Sequence, residues 1–247
     1  MFYKLVALIV FPILLVQGRQ ARKRALKLPE AIGKREGAIK DPTKPPLNIL
    51  IIGDSAAAGV GVHHQDHALL GQLVSNLKND FNLSWALIAK TGAKTKDMTE
   101  ILKQAKLTKT FDIVITSLGV NDVTSLQKSK DWLNEQNNLH QYCFQKLGAK
   151  HIMVSGIPPM HKFPLLPQPL RWIMGSRAKE FDRLQASANS NYTNKSYEPL
   201  LFDMDQSAMA VDGFHPGPAI YFEWGLNLSK RIVYIAKSLP HESGANI

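Results

Sequence analysis

Cysteine is almost missing from this chain of 247 residues, where Cys143 stands alone. A single thiol excludes an internal disulfide and any zinc site built from several cysteines. The stretch from Gly53 to Gly61 is rich in glycine, but it contains neither G-x-x-x-x-G-K-[ST] nor G-x-G-x-x-G. The absence of both motifs argues against a nucleotide site. We expect no cofactor.

A zinc-protease motif is also missing. The stretch His63-His64-Gln65-Asp66-His67 would place His63 and His67 on one face of a helix, which is the argument for a metal site. It lacks the glutamate of H-E-x-x-H. Its position after the glycine-rich turn favours the polar rim of a site or the start of a helix, with Asp66 as the N-cap. We predict no metal here.

Acidic residues are scarce, since 20 Asp and Glu face 30 Lys and Arg and leave a net charge of +10. Residues 1–46 carry +7 of that excess and the remaining chain only +3. Basic residues beside an apolar segment attract anionic lipid head groups, at roughly 1 kcal/mol each. We therefore expect a membrane surface, and no nucleic acid, as the partner of the N-terminal part.

Long hydrophobic runs are limited to one, Leu5–Val16, with twelve apolar residues. A helix of that length reaches only about 18 Å, short of a hydrocarbon core of ~30 Å. We predict a hydrophobic anchor or signal segment with a basic flank over 1–27. An uncut anchor, which the following positive charge favours, puts the rest of the chain on the cytoplasmic side. A signal peptide cut near Val16-Gln17-Gly18 puts it in the periplasm or outside the cell.

The remainder divides into a linker and a single domain. Four prolines and no apolar periodicity predict a linker over 28–46, and 47–247 has the length of one catalytic domain. With 45% apolar residues the composition is that of a globular protein. Strands are predicted at Leu47–Ile52, Trp85–Ala89, Ile113–Leu118, Ile152–Ser155 and Leu200–Phe202.

Helical spacing of apolar residues separates these strands. It is found in Leu69 to Leu77, Met98 to Leu107, Trp132 to Leu147 and Ile220 to Leu239. Because the strand segments are apolar without alternation, both sheet faces should be covered by helices. The sequence thus predicts an α/β fold, a three-layer α/β/α sandwich around a flavodoxin-like parallel sheet of about five strands.

Ligands of open parallel sheets bind beyond the carboxyl ends of the strands, so the residues that follow each strand are the first candidates for a site. Gly53-Asp54-Ser55 follows the first strand, Gly92 the second, and Gly119-Val120-Asn121-Asp122 the third, while Asp212-Gly213-Phe214-His215 precedes the final helix. These segments contain the parts that acyl transfer to serine requires.

Each part has a candidate residue. Ser55, in an exposed turn, is the candidate nucleophile, with His215 as its base and Asp212 as the carboxylate that orients the histidine. The N–H groups of Ser55 and Gly92 and the Asn121 side-chain amide are the candidate oxyanion donors. Two more carboxylates, Asp54 and Asp122, are expected to brace loops and not to act in the chemistry.

Together these four blocks resemble the SGNH (GDSL-type) hydrolase superfamily in order and spacing, over roughly residues 47–239. The resemblance implies an esterase or lipase-like enzyme without a metal, and it carries the family roles onto Ser55, Gly92, Asn121, Asp212 and His215. One departure is visible: Ala56 stands where the GDSL name has leucine.

We accordingly expect a serine esterase that cleaves small acyl or lipid-derived esters through an acyl-enzyme. A deacetylase of O-acetylated glycans, an acyltransferase and a catalytically silent binding module of the same fold stay open as alternatives. The apolar, proline-rich segment 158–174 is expected either to form one wall of an acyl pocket or to pack on the core as a surface excursion. The sequence contains no signature of an oligomeric state.

Overall fold

The computed structural model describes residues 2–201, 205 and 207–239, and its centre is a sheet of six strands. The strands are β1 (Glu36–Ile39), β2 (Pro46–Gly53), β3 (Asn82–Ala89), β4 (Ile113–Ser117), β5 (His151–Ser155) and β6 (Lys195–Glu198). They lie in the order β1-β3-β2-β4-β5-β6, and all neighbours are parallel except β1, which runs antiparallel to β3.

Eight helices of the described chain accompany the sheet. They are α1 (Phe2–Ile9), α2 (Phe11–Arg24), α3 (Leu69–Leu77), α4 (Thr95–Ala105), α5 (Val120–Val123), α6 (Ser129–Leu147), α7 (Leu170–Asn189) and α8 (Pro218–Ala236). Those predicted from apolar spacing are present, although Leu107 lies beyond α4 and α8 ends three residues before Leu239. Helix α7, which mixes charged and apolar residues, was not predicted.

Alternating side chains of β2 build the two interfaces of the sandwich. Ile49 and Ile51 pack in a buried cluster with α3 and α8, whereas Leu50 and Ile52 pack on the other face with α4 and α6. A strand buried on both faces needs apolar residues at every position, which explains the uninterrupted run. The predicted α/β/α sandwich is confirmed, and Cys143 is buried in its second interface.

The sheet differs from the prediction at both edges. Residues 28–46, expected to form a linker, contain β1, whose four residues Glu-Gly-Ala-Ile are too few and too exposed to produce a core-strand pattern. The sheet is therefore mixed, with six strands in place of five. The last strand is Lys195–Glu198 and not Leu200–Phe202, because pairing with β5 stabilises a polar edge strand that hydropathy does not detect. Phe202 lies outside the described residues.

The apolar run Leu5–Val16 spans two helices. Pro12, in the first turn of α2, can donate no bond to the carbonyl of Leu8, and the two helix axes meet at 83°. In the described part of the chain, no single helix is long and apolar enough to cross a membrane. The bent pair α1 and α2 passes that test together, by length and composition alone.

The strand order brings the motif-bearing turns to one edge. From β2 the chain moves outward to β3 and then returns to β4 on the opposite side of β2. Such a reversal leaves a crevice at the carboxyl ends of the two central strands. The turns after β2, β3 and β4, which carry Ser55, Gly92 and Asn121, open towards that edge.

Candidate active site

Ser55 begins a tight turn directly after β2, and its side chain is buried, not exposed as expected. The backbone closes it through bonds from Ala58 N to the Asp54 oxygen and from Val60 N to the Ser55 oxygen, both at 3.0 Å. Gly53 permits the close approach of this turn to β4, because a Cβ there would lie 2.5 Å from the Ser117 carbonyl oxygen. Ser55 Oγ lies 2.9 Å from His215 Nε2.

His215 and Asp212 complete a chain of hydrogen bonds. The other ring nitrogen of His215, Nδ1, lies 2.6 Å from Asp212 Oδ2, and Asp212 Oδ1 accepts bonds from the backbone N–H groups of Phe214 and His215 at 3.0 Å. Burial alone would raise the pKa of Asp212, but these hydrogen bonds hold it below its usual value. The carboxylate is thus charged at neutral pH and fixes the imidazole orientation.

The three predicted oxyanion donors differ in whether they already donate a hydrogen bond within the protein. Within the described chain, neither the Ser55 N–H nor the Gly92 N–H donates a hydrogen bond, so both are free for a ligand. Gly92 lies in an exposed turn with φ at +81°, which suits glycine. Asn121 Nδ2 instead donates to Asp54 Oδ2 and to the Ala93 carbonyl, both at 3.1 Å.

Asp54 and Asp122 make the contacts expected of bracing groups. Asp54 accepts a bond from Ala56 N at 3.0 Å, and Asp122 accepts the Thr95 hydroxyl at 2.9 Å and the Thr95 N–H at 3.2 Å. Burial raises the pKa of each carboxyl to about 6. Through Thr95, Asp122 joins the start of α4, which follows the Gly92 turn, to the turn that carries Asn121.

Several residues that support the site were not predicted. Tyr221 of α8 donates from its hydroxyl to the Ala56 and Val60 carbonyls at 2.9 and 2.8 Å. Glu30, from the expected linker, accepts the Thr91 N–H at 2.8 Å beside Gly92. Arg177 of α7 donates to the Val123 carbonyl at 2.8 Å behind Asn121. Each of these residues is far in sequence from the group that it contacts, so no local sequence pattern predicts these contacts.

A cleft opens beside the Ser55 hydroxyl. Most of its lining is apolar: Ala56, Val120, Pro158, Phe163, Met209, Phe214, Pro216 and Ile220. An adjoining cavity shares part of that lining, including Ala56, and extends it to Leu118, Leu200 and Trp224. Within the segment 158–174, Pro158 and Phe163 line the cleft while Leu166 and Leu170 are buried in the core; whether the cleft takes an acyl chain stays a prediction.

His63, His64 and His67 are not among the described residues that line the cleft beside Ser55. No group of three or more His, Cys, Asp or Glu suited to a metal occurs among the residues that the structure describes. Asp66 was predicted to be the N-cap of α3, and this is wrong. It lies inside a short 3-10 turn, where the His64 side chain accepts the Asp66 N–H at 3.3 Å. The cap of α3 is Ala68, which has no capping side chain.

A comparison with models of protein families identifies the family to which a chain with this Ser55, His215 and Asp212 arrangement belongs. The model of the GDSL-like Lipase/Acylhydrolase family matches residues 51–221, which include the turns of Ser55, Gly92 and Asn121 and the segment with His215. The chain belongs to that family. It is therefore a serine hydrolase that cleaves esters, as the resemblance in the sequence implied. A search of curated proteins finds no match.

Solved structures with the same fold include two carbohydrate esterases of family 2. One, from Corynascus thermopiles (Myceliophthora fergusii), is 14% identical with a TM-score of 0.62, and the alignment covers 81% of this hydrolase and 69% of that chain. The other, from Clostridium thermocellum and bound to cellohexaose, is 17% identical with a TM-score of 0.59, covering 81% and 67%.

A third similar structure is the lipase Lip_vut3 from a goat rumen metagenome. It is 16% identical with a TM-score of 0.59, and the alignment covers 74% of this hydrolase and 96% of the lipase. At such low identity these structures establish the shared fold of the hydrolase and leave its substrate to the site itself.

Proposed function

We propose that this hydrolase cleaves carboxylic esters through an acyl-enzyme formed on Ser55, with His215 as the general base and Asp212 as the group that orients it. The observation that carries the proposal is the chain of two short contacts, 2.9 Å from Ser55 Oγ to His215 Nε2 and 2.6 Å from His215 Nδ1 to Asp212 Oδ2. Nucleophile, base and orienting carboxylate in this order are the parts of a serine hydrolase triad.

The reaction follows in two halves. Ser55 Oγ attacks the ester carbonyl carbon while His215 Nε2 takes the hydroxyl proton, and the alkoxy group leaves with that proton as the alcohol. His215 then takes a proton from water, the hydroxide adds to the acyl-serine, and the carboxylic acid departs as Ser55 regains its proton. Water thus replaces the alcohol, and the enzyme returns to its starting state.

Charge on the carbonyl oxygen in both tetrahedral intermediates needs hydrogen-bond donors. The unoccupied N–H groups of Ser55 and Gly92 support that role. In this proposal the Asn121 side-chain amide is the third donor, and its bond to the Ala93 carbonyl is exchanged for one to the oxyanion. One donor of this type contributes about 3 kcal/mol to catalysis in serine hydrolases.

The lining of the cleft supports an acyl chain as the group that enters it. Beside Ser55 the walls are apolar, and the adjoining cavity continues them beyond Ala56 towards Trp224. A hydrocarbon chain gains about 0.8 kcal/mol for each methylene group that it buries. We therefore propose lipid-derived acyl esters as the substrate class, ahead of acetylated glycans.

The decisive experiment is hydrolysis of p-nitrophenyl esters from acetyl to palmitoyl by the full chain, with Ser55→Ala run beside it. Ser117→Ala is the matched control, because Ser117 is a second buried serine that lines the adjoining cavity. We expect Ser55→Ala to lower kcat/KM by at least about 10³-fold with an unchanged unfolding midpoint, and Ser117→Ala to retain activity.

Other outcomes separate the alternatives. More than about a tenth of wild-type activity in Ser55→Ala would reject this serine as nucleophile. A preference for acetyl esters and acetylated sugars would indicate a glycan deacetylase. Product esters formed when alcohols are added would indicate an acyltransferase. No turnover at any chain length would favour a silent binding module.

The position of the enzyme in the cell belongs to the proposal as well. We propose that residues 1–27 attach it to a membrane with the catalytic domain on the cytoplasmic side, since the basic flank of Leu5–Val16 favours retention there. Protease added to intact spheroplasts tests the side. Digestion of the domain from outside would place it in the periplasm.

A further inference from the structure

Helices α1 and α2, together called the arm, expose an unusual amount of apolar surface. Eight of their large hydrophobic side chains are exposed by 42–75%: Phe2, Leu5, Leu8, Ile9, Phe11, Ile13, Leu15 and Val16. Scattered apolar side chains are normal on a protein surface, but eight on two consecutive short helices are more than scatter and indicate an interaction site.

The bend in the arm restricts what can bind to it. At 1.5 Å per residue, the eight residues of α1 reach about 12 Å, and α2 stays apolar for only its first six residues, about 9 Å. With the axes at 83°, neither piece spans a hydrocarbon core of ~30 Å. Such a pair suits burial in the plane of a membrane surface, to a depth of one helix face.

A row of cations follows the apolar part. The basic residues between Gln17 and Pro29 are Arg19, Arg22, Lys23, Arg24 and Lys27. They are exposed, no acidic residue lies among them, and none forms an ion pair within the described residues. Cations at the end of α2 also suit its dipole, but five of them beside an apolar face match an anionic lipid surface.

The arm is attached to α7 through Glu180, and the contacts of Glu180 with Tyr3 and Lys4 are called the clamp. Glu180 accepts the Tyr3 hydroxyl at 2.6 Å and binds the Lys4 ammonium at 2.9 Å, and it also accepts the Ser129 hydroxyl of α6 at 2.9 Å. Burial would raise the pKa of Glu180, but these bonds lower it to about 2, so the clamp is charged at neutral pH. The Phe2 and Trp172 rings pack edge to face at 6.3 Å.

A second attachment fixes α2. Gln17 donates from its side chain to the Gln168 carbonyl at 2.6 Å and accepts the Leu170 N–H at 3.1 Å, at the start of α7. Ala21 is buried in the apolar cluster that also contains Phe163 of the cleft wall, and Leu14 packs against it. The arm and the cleft therefore share one packed body.

Helix α7 continues this connection to the oxyanion side of the site. One turn before Glu180, Arg177 donates to the carbonyls of Val123 and Gln127, behind the turn that carries Asn121. The same helix thus holds the arm with one side chain and the Asn121 turn with another. Because α7 contacts both the arm and the Asn121 turn, a surface bound to the arm has a defined position relative to the active site.

We propose that the arm is an in-plane docking surface for an anionic phospholipid bilayer, and that its clamp to α7 holds the hydrolase beside the bilayer from which it takes its ester. The docking to a bilayer is supported by the exposed apolar residues and the cations. The uptake of an ester from that bilayer rests on the proposed ester hydrolysis. The occupant is the bilayer and not a second copy of the chain, because anionic head groups complement the five cations whereas a second copy offers the same positive charge.

Binding is tested with the full chain carrying Ser55→Ala, so that no substrate is consumed. Vesicles of equal phosphatidylglycerol and phosphatidylcholine are sedimented with the protein, in low and in high salt, beside vesicles of phosphatidylcholine alone. We expect at least tenfold stronger binding to the anionic vesicles, weakened by salt, and at least a tenfold loss in Leu8→Glu and Ile9→Glu. Tyr234→Glu, an equally exposed side chain on α8, is the control.

The clamp is tested with active enzyme on two substrates, p-nitrophenyl palmitate carried in the vesicles and p-nitrophenyl butyrate in water. Glu180→Ala should bind vesicles as the wild type does, hydrolyse the butyrate at the wild-type rate and hydrolyse the vesicle-borne ester at least threefold more slowly. Glu223→Ala, which removes an exposed carboxylate from α8, should change none of the three.

Several results would overturn the proposal. Equal binding to neutral vesicles, or equal loss in Tyr234→Glu, would remove the docking surface. Retention in the membrane after alkaline carbonate extraction would show a spanning segment, and a dimer that buries Leu8 and Ile9 would show a second copy as occupant. Vesicle binding without any ester turnover would reject the proposed function alone, whereas turnover without binding would reject the docking surface alone.

Discussion

Asn121 donates a hydrogen bond from its side-chain amide to Asp54 Oδ2 across 3.1 Å. The bond joins the turn after β4 to the turn after β2, directly beside the Ser55 nucleophile. It requires an acceptor oxygen on Asp54, whose side chain is buried and whose pKa is raised to about 6 by that burial. The protonation of Asp54 is therefore coupled to the stability of the site.

Replacement of Asp54 by Asn should change how stability depends on pH. The native state holds the proton of the Asp54 carboxyl more tightly than the unfolded chain does, in which this carboxyl has its ordinary pKa of 3.8. The native protein therefore loses stability as the pH rises from about 4 to about 6. Asp54→Asn escapes this loss. Relative to the wild type, we expect it to gain at most about 3 kcal/mol between pH 4 and 7.5, at about 1.4 kcal/mol for each pKa unit.

Urea unfolding of both proteins at pH 4, 5, 6 and 7.5 measures this difference. Asp131→Asn, at an exposed position in α6, is the control and should follow the wild type at every pH. Wild-type and Asp54→Asn curves that stay parallel throughout would contradict the raised pKa.

Tyr221→Phe should disturb the nucleophile turn from behind. The hydroxyl bonds the carbonyls of Ala56 and Val60; Ala56 keeps a second bond from Gly59 N, while Val60 has no other partner within the described chain. Leaving one buried carbonyl unpaired costs about 1–3 kcal/mol. We also expect kcat to fall, by up to about 100-fold, with KM unchanged, because the Ser55 hydroxyl loses its alignment.

Tyr234→Phe supplies the matched control on the same helix, since its side chain is 68% exposed. Unfolding midpoints and initial rates on one p-nitrophenyl ester suffice for the comparison. Equal behaviour of the two variants would show that the Tyr221 hydroxyl does not position the turn.

The candidate site residues that the structure brings together each carry a local signal in the sequence. Ser55, Gly92 and Asn121 follow strands whose apolar runs are visible in the sequence, and Asp212 lies three residues before its partner His215. The fold class followed from the same runs, because a strand covered on both faces has no polar position to interrupt it.

The parts that sequence reasoning missed depend on pairing across the fold. Strand β1 is short, partly exposed and paired with β3, so residues 28–46 resemble a linker although Glu30 accepts the Thr91 N–H beside Gly92. Helix α7 has a mixed face, since it contacts the arm, the Asn121 turn and the core at once. No pattern within one segment reports such contacts.

Thr95→Val should loosen the link between two of the proposed oxyanion donors. The Thr95 hydroxyl donates to Asp122 at 2.9 Å and accepts the Trp132 indole N–H at 3.0 Å, all in the buried interior. Valine has the same shape and leaves the indole unpaired, at a cost of about 1–3 kcal/mol. We expect lower stability together with a fall in kcat, as the Gly92 and Asn121 turns separate.

Thr124→Val is the control, because its exposed hydroxyl bonds the Asn121 carbonyl at 3.2 Å and its loss should change stability by no more than about 0.5 kcal/mol. Stability and kcat are measured on both variants. A Thr95→Val enzyme that is destabilised but retains full kcat would show that the link supports the fold and not the donors.

Ala56→Leu should change which esters the enzyme prefers. Ala56 lines both the cleft at Ser55 and the adjoining cavity, and it stands where the family name has leucine. Three additional carbon atoms would fill the passage between the two spaces and exclude the distal part of a long acyl chain. The position tolerates leucine in the family pattern, so the variant should fold.

We therefore expect Ala56→Leu to keep its rate on p-nitrophenyl acetate and to lose activity on decanoyl and longer esters by at least about tenfold, since exclusion of two or more buried methylene groups costs about 1.6 kcal/mol or more. Ala56→Ser, which adds a single atom, should keep the wild-type chain-length profile. If leucine lowers the rate on all chain lengths alike, position 56 supports the turn of Ser55 and the acyl chain does not pass over it.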